Sequence, residues 1–303
     1  MIVFIKKYTL LIAMVIGILG YKWIYVLIPF TPLFIFAMLL LTFSKLSFKN
    51  LKPTLLHLWL LLIQIIGSIA VYYAVAPFNQ VLAQGAMICV LCPTATAAAV
   101  VAGKLGGKIE TVASYTLFVN IAVAVVAPLL FPLMNSGKET ALGTIEILAK
   151  IVPLLIFPFL IIVIINKFFP KINDKIKSYS GAAFYIWAFC LIIAISQVTK
   201  AFVEEKSGGV TEILLVVASL ILCCLQFFFG KTIGSKYDNK IAGGQALGQK
   251  NTILAIWLVH QCGFAPLAAV GAGTYIIWQN IINSWQLYKK GKSQASVLKG
   301  VLN

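Results

Sequence analysis

The sequence predicts an all-α integral membrane protein with ten transmembrane helices. Of its 303 residues, 61% are hydrophobic and only 11% are charged, and the mean hydropathy is +1.00. Soluble domains carry about 25% charged residues. Long, predominantly apolar runs cover 154–165 and 213–229, whereas a membrane β-barrel would alternate polar and apolar residues in short segments. The spans are therefore expected to be helices.

Polar residues and Gly or Pro breaks divide the chain into ten apolar segments, each near the length that a transmembrane helix needs. In chain order, the segments cover residues 8–21, 25–43, 54–75, 81–103, 109–134, 144–166, 182–200, 211–230, 241–261 and 265–288. The first follows two lysines, as in a signal peptide, but no small-residue cleavage site comes after it. We therefore expect it to be a membrane helix.

The lysines predict the orientation of these segments. All 24 basic residues are lysines, against 8 acidic residues, and they lie in short loops, so membrane orientation explains the net charge of +16 better than nucleic-acid binding. With the N-terminus inside, eighteen lysines fall on the cytoplasmic side, and five fall outside: Lys22, Lys138, Lys150, Lys200 and Lys206. This bias predicts a multi-pass protein of the cell inner (plasma) membrane with both termini cytoplasmic. Lys250 belongs to neither side.

Ten helices divide into two sets of five, and a duplicated unit with an odd number of helices must insert in opposite orientations. We expect a first five-helix repeat over residues 1–140 and a second, inverted repeat over residues 141–303. Inverted-repeat transporters bind substrate near the middle of the membrane, where one helix of each half is interrupted. Corresponding segments with mid-membrane Pro, Gly or polar residues are therefore the places to look for a site.

The fourth and ninth segments carry such interruptions. Pro93 lacks a backbone N–H and disfavours helix at Cys92, so the fourth segment is expected to break before Thr94 and Thr96. In the ninth segment, a helix starting at Thr252 would hold only the eight residues "TILAIWLV" before the next turn. Eight residues rise about 12 Å, too little for a hydrocarbon core of about 30 Å.

The ninth segment must therefore begin near residue 241, which places Lys250 inside the membrane. A buried ionisable residue in a membrane is a functional-site hypothesis by default. Two other interpretations stay open: the ammonium stabilises carbonyls freed by the helix break, or the depth of Lys250 is misjudged. Further polar residues occur within the fifth and tenth segments: Ser114, Thr116, Asn120, Gln279, Asn280, Asn283 and Ser284. Interhelical hydrogen bonding and ligand binding both explain such residues.

Metal and enzyme chemistry have little support in the sequence. The six cysteines lie in apolar surroundings and are interpreted as buried hydrophobic residues. The spacing of Cys89 and Cys92 could suggest a metal site. The chain has only two histidines to complete it, however, and a closed metal site needs four ligands. The eight acidic residues lie in loops or at segment ends. We therefore expect neither an enzyme nor a resident cofactor, and no obligate protein partner is evident.

Several stretches resemble motifs of the bile acid:sodium symporter family. They are "FIFAMLLLTFSKLSFKNLK" (34–52), "CPTATAAAVVAGKLGG" (92–107), "ALGQKN" (246–251) and "APLAAVGAGTYIIWQN" (265–280). The resemblance runs nearly end to end and implies ten helices whose broken fourth and ninth members cross. It also implies a panel domain from segments 1, 2, 6 and 7 and a core domain from segments 3–5 and 8–10.

The resemblance further implies that the substrate is an organic anion, such as a bile acid or a small carboxylate. Substrate contacts carry over to Asn251 and Asn280, with hydroxyls at Thr94 and Thr96 and an amide at Gln279. These five residues are the predicted substrate-binding set. A small organic anion and membrane lipid are the expected partners, and nucleic acid is not.

The departures from the family concern sodium. The family's crossover Asn is Ala97 here, its sodium-binding Glu is Ala246, its sodium-binding Gln is Lys250, and the His before the tenth-helix Asn is Gln279. Since an ammonium is a compact point charge with three donors, we hypothesise that Lys250 replaces bound sodium. The residues expected to serve ion binding or coupling are Lys250, Gln249, Ser114, Thr116, Asn120 and Gln64.

The predicted function is secondary active transport of organic anions by alternating access, independent of sodium. A permanently protonated Lys250 predicts a uniporter or exchanger, whereas a lysine that releases its proton predicts proton coupling. The alternative is a sodium-coupled symporter with a relocated ion site built from Thr116, Asn120 and Gln64. A channel is a further alternative, which saturable, counter-ligand-stimulated flux would exclude.

Overall fold

The computed structural model describes residues 2–46, 51–134, 141–205 and 209–302, with side chains over 8–46, 51–134, 143–205 and 209–293. Three lysines that entered the orientation prediction, Lys49, Lys138 and Lys206, lie outside the described residues. Across the described residues the chain is helical and contains no β-strand beyond one isolated bridge. The predicted all-α fold class is confirmed at this level.

The α-helices follow one another along the whole described chain. They are α1 (Ile2–Leu19), α2 (Tyr21–Ile24), α3 (Thr31–Phe43), α4 (Leu55–Val75), α5 (Gln80–Leu91), α6 (Ala98–Leu105), α7 (Ile109–Met134), α8 (Ala141–Phe168), α9 (Pro170–Ser178), α10 (Ala182–Glu204), α11 (Val210–Ser235), α12 (Lys240–Gly248), α13 (Thr252–Gln261) and α14 (Ala269–Leu302). Short 3-10 turns occupy Tyr25–Phe30, Tyr179–Gly181 and Pro266–Ala268.

Most of these helices coincide with the apolar segments of the sequence, although α14 continues to Leu302, past the predicted end of the tenth segment at residue 288. Among the described residues, six stretches are long and apolar enough to cross a membrane: Tyr21–Phe43, Leu55–Val75, Ile109–Met134, Gly143–Phe168, Pro170–Glu204 and Val210–Ser235. The fourth and ninth segments each consist of two short helices, α5 with α6 and α12 with α13. The short helix α9 was not predicted, because it is polar and too short to show as an apolar segment.

The helices pack in two groups. In one group α10 packs against α1 and α3, and α3 also packs against α8. In the other, α11 packs against α5, α12 and α14, and α4 packs against α5. Contacts of α8 with α7, and of α10 with α13 and α14, join the two groups. The broken helices α5/α6 and α12/α13 thus belong to the second group.

The contact between α11 and α12 is made by backbone. A methyl group on Gly230 would collide with the carbonyl oxygen of Gly243, and one on Gly243 would collide with that of Gly230. Small residues permit this close approach between membrane helices, whose packing depends on van der Waals contact and not on hydrophobic burial. The contact holds α12 and the chain break that follows it against a long neighbouring helix.

Candidate functional site

The first helix break follows α5. Asn79 caps the start of α5 by accepting a hydrogen bond of 2.9 Å from the backbone N–H of Leu82. The helix ends at Leu91, and Cys92 has an extended conformation (φ −54°, ψ 138°) immediately before Pro93. The interruption predicted at this proline is present, for the reason that a residue before proline avoids helical geometry.

The second break follows α12. Gln249 is extended (φ −98°, ψ 108°), and α13 begins at Thr252. Asn251 caps α13, because its Oδ1 accepts a hydrogen bond of 3.3 Å from the N–H of Leu254. Lys250 therefore lies in a break between two helices, in agreement with the expected interruption of the ninth segment.

The two breaks cross each other and pair through their backbones. Thr94 and Lys250 form an antiparallel bridge. The N–H of Ala95 donates to the carbonyl of Gln249 at 2.9 Å, and the N–H of Asn251 donates to the carbonyl of Pro93 at 2.8 Å. Unsatisfied backbone groups cost several kcal/mol in a membrane interior. Each broken helix thus supplies the hydrogen bonds that the other has lost.

Lys250 lies at the centre of this crossing and is 1% exposed. Its Nζ donates a hydrogen bond of 2.9 Å to the carbonyl oxygen of Val90, in the last turn of α5. Gln279 of α14 holds the lysine backbone from the other side: its Oε1 accepts from the Lys250 N–H at 2.8 Å, and its Nε2 donates to the Lys250 carbonyl at 3.3 Å. The ammonium therefore lies where the dipole of α5 favours a cation.

The remaining carbonyls at the end of α5 also have donors. Gln64 of α4 donates through Nε2 to the carbonyls of Leu91 and Cys92, at 2.8 and 3.0 Å. The hydroxyl of Tyr115 on α7 donates to Gln64 Oε1 at 2.9 Å, which fixes the amide orientation. The carbonyls of Val90, Leu91 and Cys92 thus each accept a hydrogen bond from a side chain of another helix or of the second break.

The end of α12 is held in a similar way. Thr94 donates through Oγ1 to the carbonyl of Ala246, and Tyr275 of α14 donates through its hydroxyl to the carbonyl of Gly248 at 2.9 Å. Gln226 of α11 donates through Nε2 to Tyr275 at 3.0 Å. In both halves a glutamine and a tyrosine thus meet at the end of a broken helix.

In the described part of the chain, Lys250 has no carboxylate as an ion-pair partner. Among the described residues the ion pairs are Lys177 with Asp174 and Lys200 with Glu204, and neither involves Lys250. Buried polar atoms without a hydrogen-bond partner within the described chain include Gln249 Oε1, Asn251 Nδ2, Gln226 Oε1 and, on α7, Asn120 Oδ1. Those of Gln249 and Asn251 flank the lysine directly in sequence.

Three other predicted site residues, Asn280, Thr116 and Asn120, donate hydrogen bonds within their own helices. Asn280 donates to the Ile276 carbonyl at 2.7 Å. In α7, Thr116 donates to the Val112 carbonyl at 2.8 Å and Asn120 to the Thr116 carbonyl at 2.6 Å. Ser114 is buried in the same helix, and Thr96 is half-buried just after the first break. Among the described residues, none of these five forms a hydrogen bond to the other helix break.

Sequence reasoning missed three residues that hold the crossing: Tyr115, Gln226 and Tyr275. Each is fully or almost fully buried. Their signal in the sequence is a hydroxyl or an amide in the middle of an apolar helix, the same criterion that selected Gln64 and Asn120. Two are tyrosines, which blend into an apolar segment because most of the side chain is itself apolar.

Two interrupted helices that cross are typical of the substrate sites of secondary membrane transporters. The model of the SBF-like CPA transporter family matches residues 23–281, and the chain belongs to this family. The predicted relationship to the bile acid:sodium symporters is thus confirmed at the level of a related transporter family. Comparison with curated proteins yields no match.

Proposed function

We propose that this protein is a secondary active transporter that moves organic anions across the cell inner membrane by alternating access, without sodium. The observation that carries the proposal is the buried ammonium of Lys250, which donates to the Val90 carbonyl at the crossing of two broken helices. Membership of a transporter family indicates transport in place of catalysis. The position and charge of Lys250 support the choice of substrate and the mode of coupling.

An anionic substrate complements the unpaired charge. The lysine ammonium has three donors, one of which goes to Val90. No carboxylate of the described chain pairs with it, and an unpaired charge in a membrane interior is costly. A substrate carboxylate would offset that cost, and the unpartnered Nδ2 of Asn251, the next residue in the chain, offers a further donor. The proposed substrate-binding residues are Thr94, Thr96, Asn251, Gln279 and Asn280.

Sodium independence is supported by how the carbonyls at the end of α5 are used. Sodium is a hard cation that needs several oxygen ligands. The carbonyls of Val90, Leu91 and Cys92 already accept hydrogen bonds, one from Lys250 and two from Gln64. The side chain at position 246 is a methyl group where the related family has a carboxylate. We infer that the ammonium takes the place of a bound cation.

The packing supports alternating access between two domains. We propose that α1, α3, α8 and α10 form the panel domain, and that the helices from α4 to α7 and from α11 to α14 form the core domain. The Gln64–Tyr115 pair links the third and fifth segments, and the Gln226–Tyr275 pair links the eighth and tenth. This correspondence supports an inverted repeat over residues 1–140 and 141–303, with both termini cytoplasmic.

One observation favours the alternative of a sodium-coupled symporter. Asn120 Oδ1 is buried and has no partner among the described residues, and Thr116 lies one turn earlier on the same helix. The amide oxygen of Asn120, the hydroxyl of Thr116 and Gln64 of α4 would together make a relocated sodium site. Uptake measured with and without sodium decides between the two.

The test is uptake into proteoliposomes. A thermal-shift screen with taurocholate, pantothenate and 2-oxoisovalerate selects the probe anion. Its uptake is then measured in Na⁺ and in K⁺, for the wild type and Lys250→Gln, with Lys52→Gln as the matched control. We expect equal wild-type uptake in both salts. Lys250→Gln should lose about tenfold or more, since hydrogen bonds to charged groups contribute about 1.5–3 kcal/mol.

Three further outcomes decide the mechanism. Sodium-stimulated wild-type uptake would overturn sodium independence and favour the relocated sodium site. Regained sodium stimulation in Lys250→Gln would support the replacement of sodium by lysine. Loss of pH dependence in the same variant would assign proton coupling to Lys250. Counterflow by unlabelled anion on the opposite side distinguishes a carrier from a channel.

A further inference from the structure

The short helix α9 has to lie outside the membrane core. It connects α8 to α10, separated from α8 by the single residue Phe169. The 23 residues of α10 rise about 34 Å, which already spans a hydrocarbon core of about 30 Å. The 28 residues of α8 exceed that length as well. Since both neighbours cross the membrane without it, α9 lies at the membrane surface.

One face of α9 is fixed to the protein. Asn173 is buried and donates through Nδ2 to Asn166 Oδ1 at 2.9 Å, which ties α9 to the end of α8. Ile176, nearly one turn later, packs against the hydrophobic core. The chain turn is closed by the N–H of Ile172, which donates to the Phe169 carbonyl at 2.9 Å. The helix is therefore held in one orientation and presents its other faces outward.

The outward side combines apolar and basic residues. Its exposed apolar side chains are Phe168, Phe169, Ile172 and Tyr179, with exposed fractions of 63%, 54%, 49% and 61%. Lys171 and Lys175 are four residues apart, so they share a helical face next to that of Ile172. Both are exposed. The acidic residue of this helix, Asp174, pairs with Lys177 at 3.6 Å. Asp174 therefore does not neutralise the charges of Lys171 and Lys175.

We propose that α9 and its flanking aromatics form a binding site for anionic phospholipid. A surface helix with apolar residues on one side and lysines on another inserts the former at the acyl boundary and places the latter among headgroups. Each lysine near an anionic membrane surface contributes about 1 kcal/mol. The site lies at the link between α8 and α10, so bound lipid would stabilise their packing. It is separate from the crossing at Lys250 and does not depend on the proposed substrate.

The test compares phosphatidylglycerol with phosphatidylcholine added to the full-length protein in detergent. Native mass spectrometry counts retained lipid, and a thermal shift gives the lipid concentration for half of the stabilisation. The variant is Lys171→Gln/Lys175→Gln. The matched control, Lys52→Gln/Lys108→Gln, removes two exposed lysines that the orientation rule also places on the cytoplasmic side. All four residues are exposed, so both variants should fold, which the thermal midpoint in phosphatidylcholine verifies.

The wild type should retain phosphatidylglycerol in preference to phosphatidylcholine. The α9 variant should need roughly 30-fold more phosphatidylglycerol for the same stabilisation, the factor for two lysines on an anionic surface. The control variant should need at most about threefold more phosphatidylglycerol than the wild type. Equal retention of the two lipids by the wild type, or equal losses in the two variants, would overturn the proposal. A dimer forming through α9 in both lipids would overturn it as well.

Discussion

The ammonium of Lys250 lies 2.9 Å from the carbonyl oxygen of Val90, 160 residues earlier in the chain. A side chain from one broken helix therefore caps the end of the other. Together with the backbone bonds around Thr94, this contact makes the crossing a single unit. A motion that exposes the site to either side of the membrane is then expected to move both broken helices together.

The first prediction tests whether charge alone is enough at position 250. Lys250→Arg keeps the positive charge but adds a larger planar group at a site that is 1% exposed. Overpacking of a buried site costs about 1–3 kcal/mol, and a guanidinium cannot reproduce the point contact with Val90. The thermal midpoint should fall, and uptake of the probe anion should drop by about tenfold or more.

The control for this variant is Lys52→Arg, at an exposed lysine. It should retain wild-type stability and uptake. Unchanged uptake in Lys250→Arg would mean that the site needs a cation of any shape. In that case the precise bond to Val90 is not what determines transport.

A second prediction concerns the pair that holds the end of α5. Gln64→Leu leaves the buried carbonyls of Leu91 and Cys92 without a donor, and each unsatisfied group costs about 1–3 kcal/mol. Tyr115→Phe removes one donor to Gln64 Oε1 and should cost about 0.5–1.5 kcal/mol. The measurement is the fraction of monodisperse protein left after heating. Equal losses in the two variants would contradict the separate roles assigned to the two side chains.

The helix breaks could be predicted because their causes are local. Pro93 lacks a backbone N–H, and the span that contains Lys250 is too short unless it starts before the lysine. Both arguments use one stretch of chain and the thickness of the membrane. They need no knowledge of which helices are neighbours, and the structure has a helix break at both positions.

The partners of the polar side chains could not be predicted in the same way. Gln279 and Asn280 are adjacent in sequence, yet Gln279 binds the Lys250 backbone while Asn280 donates to its own helix. The difference is a rotation of about 100° around α14. Tyr275 and Gln226 stand out in the sequence only as a hydroxyl and an amide within apolar helices, and their partners depend on how α11 and α14 face the second break.

A third prediction uses the close contact between α11 and α12. Gly230→Ala places a methyl group against the carbonyl of Gly243, a backbone atom that cannot move aside without separating the helices. Overpacking of about 1–3 kcal/mol is expected, together with reduced uptake, because α12 leads into the break at Lys250. Stability and uptake are measured as above.

Gly181→Ala is the matched control for Gly230→Ala. Gly181 has a helical backbone (φ −63°) and open space around its Cα. Alanine at a compatible glycine site stabilises by about 0.4–1 kcal/mol through the unfolded chain, so this variant should be as stable as the wild type or more so. If both variants behaved alike, the tight packing of Gly230 would have no energetic consequence.

The fourth prediction concerns Glu205, at the end of α10. Burial raises the pKa of this carboxyl, and the nearby carboxylate of Glu212 raises it further, although a hydrogen bond from the Leu267 N–H opposes both. Since its pKa is higher in the folded protein than in the unfolded chain, the folded state binds the proton more strongly. Stability should therefore increase as the pH falls through the folded pKa.

Glu205→Gln keeps an oxygen that accepts from the Leu267 N–H and removes the charge. Its thermal midpoint should exceed that of the wild type at neutral pH and converge with it on acidification. Glu205 is partly exposed, so the difference should be at most about 2–4 °C, the shift expected for 1 kcal/mol. Glu204→Gln removes the same charge one residue earlier, in a side chain that pairs with Lys200. That control should keep the wild-type response to pH. A Glu205→Gln midpoint that tracks the wild type at every pH would show that the raised pKa of Glu205 has no effect on stability.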